Sequence, residues 1–234
     1  INVNYNNNAY RISDETLHFN GESTLISLQN GGGKSVLVQM LTAPFVHPRY
    51  RNTKDRLFES YFTTNKPSFI LVEWALDQGA GYVLTGLMVR KSQDMEEDRK
   101  ENLDIIGIVS EYQSPCIQDI HHLPVVEKGK KEMILKNFNS CRQLFETYKK
   151  DRDMKFFYYD LTNYAQSRQY FNKLMEYQIN YKEWETIIKK INLKESGLSD
   201  LFADCKDEKG LTEKWFLEAI ESKLNKDKNR IKEF

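Results

Sequence analysis

The apolar residues near the start of the chain form one continuous run and then a helical repeat, with glycines between them. Residues 24–28 (TLISL) are a short apolar run, which predicts a β-strand. Residues 35–41 (SVLVQML) carry apolar side chains at helical spacing, and Pro44 and Pro48 are expected to stop that helix. The pattern therefore predicts a strand, a loop and a helix in that order.

The next part of the chain is typical of antiparallel strands. Residues 68–90 contain two β-branched and aromatic runs on either side of a glycine-rich turn at 77–81, which predicts a β-hairpin. The charged stretch 91–102 (KSQDMEEDRKEN) is interpreted as a solvated loop between strands. Residues 103–112 (LDIIGIVSEY) then predict a third antiparallel strand.

Helical and extended patterns alternate in the second half of the chain. Residues 133–150 are patterned as a helix, and residues 167–190 as another that is interrupted around 178–184 (QINYKEW). Between them, residues 155–161 (KFFYYDL) predict a further strand. The elements together predict an α/β fold that contains an antiparallel β subdomain.

The last residues of the chain repeat apolar side chains at the spacing of a coiled-coil seam. Successive members are 3 or 4 residues apart, with one polar interruption, in a segment otherwise dense in charged residues. We therefore divide the chain into a globular part, 1–210, and the start of a coiled coil, 211–234; the alternative is one amphipathic surface helix. The seam residues are Leu217, Ile220, Leu224, Asp227, Ile231 and Phe234.

Composition excludes several classes of protein. The 234 residues are 40% hydrophobic, which is enough for a substantial core, and 34 basic residues balance 34 acidic ones, so any nucleic-acid-binding surface must be local. The 3 cysteines are far apart and form no CxxC pair, which favours a reducing compartment such as the cytoplasm. No apolar run approaches the roughly 20 residues that span a bilayer, so no membrane association is expected.

The glycines at residues 31–33 point to phosphate binding. Glycines let successive backbone N–H groups converge on an anion, and the N-terminus of the following helix adds further N–H groups and a positive dipole. A lysine at the start of that helix can contact the β and γ phosphates, and the next serine can bind magnesium. The candidate residues for ATP are Asn30, Gly31, Gly32, Gly33, Lys34 and Ser35, of which Ser35 is also the candidate Mg²⁺ ligand.

The glycine segment departs from the full Walker A pattern, G-x-x-x-x-G-K-[ST], at one position. Leu28 stands where the first glycine belongs, which affects the entry turn of the loop more than its contacts with an anion. A phosphate-binding loop also needs an acidic residue at a strand end to hold magnesium. Glu73 and Asp160 follow apolar runs, but each is better explained as a polar residue of an ordinary half-buried strand.

The chain resembles the N-terminal half of an SMC-type ATPase head, within the ABC class. The resemblance is carried by 25–41 (LISLQNGGGKSVLVQML), 67–90 (PSFILVEWALDQGAGYVLTGLMVR) and 183–202 (EWETIIKKINLKESGLSDLF), followed by the emerging coiled coil. It is similar above all to the MukB, MksB and JetC branch, which comprises bacterial condensin-like proteins and Wadjet plasmid-defence proteins. The implied fold is the N-lobe of a P-loop NTPase head.

The resemblance implies a set of partners and a division of the catalytic site. In that family the C-terminal half of the same polypeptide brings the Walker B and signature sequences, and two heads sandwich ATP, so the isolated chain is expected to be inactive. A second head, kleisin-like and accessory subunits and DNA are the implied partners, with a role in chromosome organisation or plasmid defence. The Q-loop of the family corresponds to a segment without glutamine, in which Asn192 or Glu195 is the candidate replacement.

Two other functions fit the same residues. The chain can be a self-contained P-loop NTPase or kinase in which Asp160 or Glu73 is the acid on the magnesium side of the site. Alternatively, it can be an interaction module whose degenerate loop no longer turns nucleotide over, an interpretation that Leu28 favours. His18, His47, His121 and His122 have no metal-ligand spacing, and a surface or structural role is expected for them.

Overall fold

A computed structural model describes residues 3–7, 10–12, 15–29, 33–52, 57–93, 101–130 and 133–191. The chain divides into two compact units, Ile1–Glu185 and Thr186–Phe234, and only residues 186–191 of the second unit are among those described. The predicted boundary at residue 210 and the predicted coiled coil lie outside the described residues. The described part is a mixed α/β fold with an antiparallel sheet.

Helices and strands alternate along the described chain. The strands are β1 (Val3–Asn7), β2 (Tyr10–Ile12), β3 (Ser68–Ala75), β4 (Tyr82–Lys91), β5 (Leu103–Tyr112), β6 (Val126–Lys128), β7 (Met133–Leu135) and β8 (Lys155–Asp160). The α-helices are α1 (Lys34–Thr42), α2 (Pro48–Arg51), α3 (Phe138–Lys150), α4 (Tyr164–Glu176) and α5 (Tyr181–Ile191). Short 3-10 helices cover Ala43–Phe45, Phe58–Tyr61 and Asp77–Gly79. None of the helices in the described ranges is long and apolar enough to cross a membrane.

The largest sheet has four antiparallel strands in the order β3-β4-β5-β8. The predicted hairpin is confirmed: β3 pairs with β4 from Ser68 opposite Val89 to Ala75 opposite Tyr82. The predicted third strand, β5, pairs along the whole of β4, and the predicted strand β8 pairs with the other side of β5. The glycine-rich turn explains the pairing of β3 with β4, since Gln78 and two glycines of the connection between these strands have positive φ.

Side chains at alternate positions of each strand point to opposite sides of the sheet. Both faces are covered by other parts of the chain. Face A, which includes Ile70, Leu87 and Val109, packs against residues of α1, α4 and α5. Face B, which includes Leu84 and Ile108, packs against α3 and residues of the β5–β6 connection. The sheet therefore separates the helix that follows the glycines from the helix α3.

The helix predicted after the glycines and the interrupted helix near residue 180 are both confirmed. Helix α1 ends at Thr42, and prolines stand in the first turns of the 3-10 helix Ala43–Phe45 and of α2. Helices α4 and α5 are separated at a residue with left-handed backbone, Gln178, whose φ is 61°. The interruption lies where the sequence placed it.

The strand predicted at residues 24–28 is wrong. This segment forms neither helix nor strand, and the side chain of Leu25 is 94% exposed. A strand exists only where a neighbour supplies the hydrogen-bonded ladder, and no described strand lies alongside this segment. Within the described ranges, the apolar run therefore has no partner that would make it a strand.

The helix predicted from residue 133 begins later than expected. Met133–Leu135 is instead the strand β7, which pairs with β6 as a small separate hairpin. Helix α3 begins at Phe138 because Asn137 caps it, its side chain accepting a hydrogen bond from the N–H of Ser140 at 2.9 Å. The cap residue thus sets the start of α3 at Phe138, whereas apolar spacing alone predicted a start at residue 133.

Candidate functional site

Helix α1 starts directly after the glycines, at Lys34. Gly33 precedes the helix with φ 82° and ψ 17°, a left-handed conformation that glycine adopts without the steric cost of a Cβ. No side chain caps this end of the helix, and no acidic residue lies in its first turn. The N-terminal end of α1 can therefore attract an anion, because no carboxylate of its first turn competes with that anion. Asn30, Gly31 and Gly32 lie outside the described residues.

The side chain of Lys34 reaches back to the backbone of Leu28. Its Nζ donates a hydrogen bond to the carbonyl oxygen of Leu28 at 2.9 Å, although the two residues are 6 positions apart. The Lys34 side chain is exposed, and Ser35 beside it is exposed as well. An exposed ammonium on a flexible stem exchanges one oxygen acceptor for another at low cost, so phosphate oxygens can replace the carbonyl.

The far end of α1 is fixed by buried polar contacts. The Gln39 side chain donates to the backbone oxygen of Arg51 at 2.6 Å and accepts from the Tyr61 hydroxyl at 2.9 Å. Met40 beside it is fully buried on face A. The helix is thus anchored at its C-terminal half while the end that carries Lys34 and Ser35 faces outward. Nothing in the sequence indicated this network, because its three residues are far apart in the chain.

Glu73 lies on the opposite face of the sheet from α1. It follows Phe69 and Leu71 at alternate positions of β3, and these two residues belong to face B. Its Oε2 accepts a hydrogen bond from the Tyr112 hydroxyl and another from the N–H of Ile120 at 3.4 Å. Burial raises the pKa of Tyr112, and the hydrogen bond to Glu73 raises it further. Glu73 is therefore a half-buried structural acceptor with the sheet between it and α1.

Asp160 is engaged in the turn that leads into α4. Its Oδ1 accepts from both the N–H and the hydroxyl of Thr162, at 3.0 and 2.6 Å. Its backbone N–H donates to the side chain of Gln166 at 3.0 Å. Along β8, Asp160 follows Phe156 and Tyr158 at every second position, and these two residues belong to face B. Asp160 therefore shares their face of the sheet. Neither predicted acid is thus on the face against which α1 packs.

The histidines of the described residues make contacts within the fold. His47 Nδ1 contacts a carboxylate oxygen of Glu185, which also accepts the backbone N–H of His47 at 3.2 Å. His122 contacts Asp119, and the rings of His18 and His121 stack with centroids 6.4 Å apart. Within the described ranges, no three His, Cys, Asp or Glu side chains are grouped as metal ligands.

Of the predicted site residues, the described part contains Gly33, Lys34 and Ser35 at one junction, while Asn192 and Glu195 lie outside it. Comparisons of the chain with protein-family models, with curated proteins and with solved structures give no match. The candidate site is thus defined by Gly33, the start of α1 and the position of the Lys34 ammonium.

Proposed function

We propose that this chain binds ATP and Mg²⁺ as the N-terminal segment of an SMC-like ATPase head of the P-loop NTPase class. One observation carries the proposal: a left-handed Gly33 leads into α1, with the Lys34 ammonium held over the loop entry. Backbone N–H groups and one ammonium at a helix N-terminus form a site for the polyphosphate tail of a nucleotide. The exposed hydroxyl of Ser35 then serves as a ligand of the magnesium ion.

The rest of the catalytic site is proposed to come from another segment. The acid that holds magnesium cannot come from Glu73 or Asp160 without a large rearrangement, because both residues lie on face B, opposite α1. This placement weakens the alternative of a self-contained NTPase or kinase. Without an acid and a second charge at the γ-phosphate, hydrolysis by the isolated chain is expected to be very slow.

The apolar run 24–28, in which residues 24–27 are exposed, supports the same proposal. An apolar segment directly before a phosphate-binding loop is normally a strand in a covered sheet, yet Leu25 is 94% exposed here. We infer that a strand of the C-terminal half of the same head pairs with it. The proposed assembly then adds a second head, kleisin-like and accessory subunits and DNA, and acts in chromosome organisation or plasmid defence.

Nucleotide binding and turnover test this proposal directly. Titration of the chain with a fluorescent ATP analogue and Mg²⁺ should show binding, and Lys34→Ala should weaken it by about tenfold or more, as loss of a charged contact predicts. Lys66→Ala removes an exposed lysine elsewhere and should leave the affinity unchanged.

The same preparations distinguish the proposed functions by their ATPase rates. The isolated chain should hydrolyse little ATP, and adding the C-terminal segment of its parent protein should produce turnover that Lys34→Ala abolishes. Substantial turnover by the chain alone, lost in Lys34→Ala, would exclude the half-head. Absence of nucleotide binding in both preparations would favour an interaction module.

A further inference from the structure

A polar cleft of about 420 Å³ lies between α3 and β8, the last strand in the order of the four-stranded sheet. Both elements contribute to the core on face B, whereas α1 packs on face A. The cleft is therefore a separate place from the candidate site at the start of α1. Its lining residues are Asn139, Arg142, Gln143 and Glu146 of α3 and Tyr158 of β8.

Most of the lining side chains are of the types that contact the phosphates and sugars of nucleic acids. Arginine, asparagine, glutamine and tyrosine side chains all make such contacts in protein–DNA complexes. Asn139, Arg142 and Gln143 are exposed, so their polar groups are open to a ligand. Burial raises the pKa of Tyr158, the hydrogen bond to Glu146 raises it further, and the charge of Arg142 lowers it. The Arg142 guanidinium thus lies close to the Tyr158 hydroxyl.

The acidic residue of the cleft, Glu146, is compensated by its neighbours. Its Oε2 accepts a hydrogen bond from the Tyr158 hydroxyl, and its Oε1 lies 3.1 Å from Nζ of Lys150. Nζ of Lys149 lies 5.0 Å from the centroid of the Tyr158 ring and adds a second cation beside the cleft. The positive charges of Arg142 and Lys149 therefore outweigh the negative charge at the lining.

Basic residues continue along the same part of the chain. Residues 136–155 contain six basic and three acidic residues, in a chain whose formal net charge is zero. Lys149, Lys150 and Arg152 are exposed at or just beyond the C-terminal end of α3. Helix α3 has 13 residues and is about 20 Å long, so the cations from Arg142 onward can reach more than one phosphate of a strand. The excess is local, as a neutral chain requires for binding nucleic acid.

The polar lining favours nucleic acid over an acidic protein segment as the ligand. Protein–protein interfaces are centred on buried aromatic and apolar anchors. Tyr158 is the one aromatic or apolar side chain among the described residues that line the cleft. Protein–DNA interfaces are more polar and more positively charged, which is the character of this surface.

We propose that the cleft between α3 and β8, with the cations around it, binds the phosphate backbone of double-stranded DNA. Arg142 binds one phosphate in the cleft, with the amides of Asn139 and Gln143 beside it. Lys149 and Arg152 bind neighbouring phosphates. Contacts of this kind position DNA without reading its sequence. The inference rests on the proposed function for the choice of DNA as the nucleic acid, but it requires no ATP at α1.

Fluorescence anisotropy of a short labelled DNA duplex of mixed sequence, without nucleotide, tests the assignment. At about 50 mM salt, Arg142→Gln/Lys149→Gln should weaken binding by at least about tenfold. It should also reduce the slope of log K against log salt concentration by about 2, because each lost phosphate contact removes about one unit. Arg49→Gln/Lys66→Gln removes the same two charges at exposed positions on α2 and before β3, and should leave affinity and slope unchanged.

Three outcomes overturn the proposal. The first is no DNA binding by the unchanged chain at about 50 mM salt. The second is an equal loss of affinity in the two double variants, which would show that net charge alone attracts DNA. The third is displacement of the labelled duplex by poly-glutamate as effectively as by unlabelled duplex of equal charge, which would assign the cleft to an acidic protein. Because nucleotide is absent, a failed DNA surface and a failed ATP site are distinguished.

Discussion

Tyr170 connects three parts of the core from a single position. Its fully buried ring lies against Gly107 of β5, and its hydroxyl donates to the carbonyl oxygen of Pro44 at 3.1 Å. Burial raises the pKa of Tyr170 well above its ordinary value, so the hydroxyl stays a donor. One side chain of α4 thereby fixes the sheet relative to the segment that follows α1. The sequence showed an aromatic residue at helical spacing but not which glycine would face it.

Gly107→Ala tests this contact. A Cβ at residue 107 would come within 2.7 Å of the Tyr170 ring, and the ring cannot retreat without losing its hydrogen bond. We expect the free energy of unfolding to fall by about 1–3 kcal/mol, as for other overpacked cores. In a Tyr170→Leu background, Gly107→Ala should lower the free energy of unfolding by clearly less. Equal costs in both backgrounds, measured by urea denaturation, would show that the ring does not constrain residue 107.

Elements differ in how much of their definition is local. The strands β3, β4 and β5 follow from alternating apolar runs and a turn with positive φ, all of which lie within neighbouring residues. The start of α3 also has a local signal in Asn137, a preferred cap residue, but apolar spacing obscured it. The run 24–28 has the composition of a strand, but no strand in the described part of the chain pairs with it, and no local pattern can reveal such pairing.

Asn137→Ala measures the contribution of the cap to α3. The substitution removes the acceptor of the Ser140 N–H and should lower the free energy of unfolding by about 1 kcal/mol. Asn139→Ala changes an exposed asparagine within the helix and serves as the matched control. If thermal unfolding shows equal shifts for the two variants, the cap does not define the start of α3.

At the scale of the whole molecule, the four-stranded sheet lies between the candidate site and the two acidic residues that the sequence suggested for it. Helix α1 packs on face A, whereas Glu73 and Asp160 share face B by their positions along β3 and β8. The proposed divided site accounts for this placement, because neither predicted acid shares the face of the sheet that α1 covers. The proposed second half must then supply both an acid and a strand beside residues 24–28.

Leu25→Asp tests that division. Because Leu25 is 94% exposed, the isolated chain should unfold at the same temperature as the unchanged one. Pairing with the C-terminal segment would bury this side chain, and a buried unpaired carboxylate should weaken association by at least about tenfold. The exposed Glu22→Gln serves as a control. Unchanged association, measured by isothermal titration calorimetry, would place the partner strand elsewhere.

The sequence by itself determined the helix after the glycines and the strands of the four-stranded antiparallel sheet, because each depends on residues close together in the chain. Only the tertiary structure decided which face Glu73 occupies, that Arg51 is buried, and that His47 meets Glu185, 138 residues away. Such contacts depend on strand order and on which helix covers which face. Those are properties of the packed chain and have no local pattern.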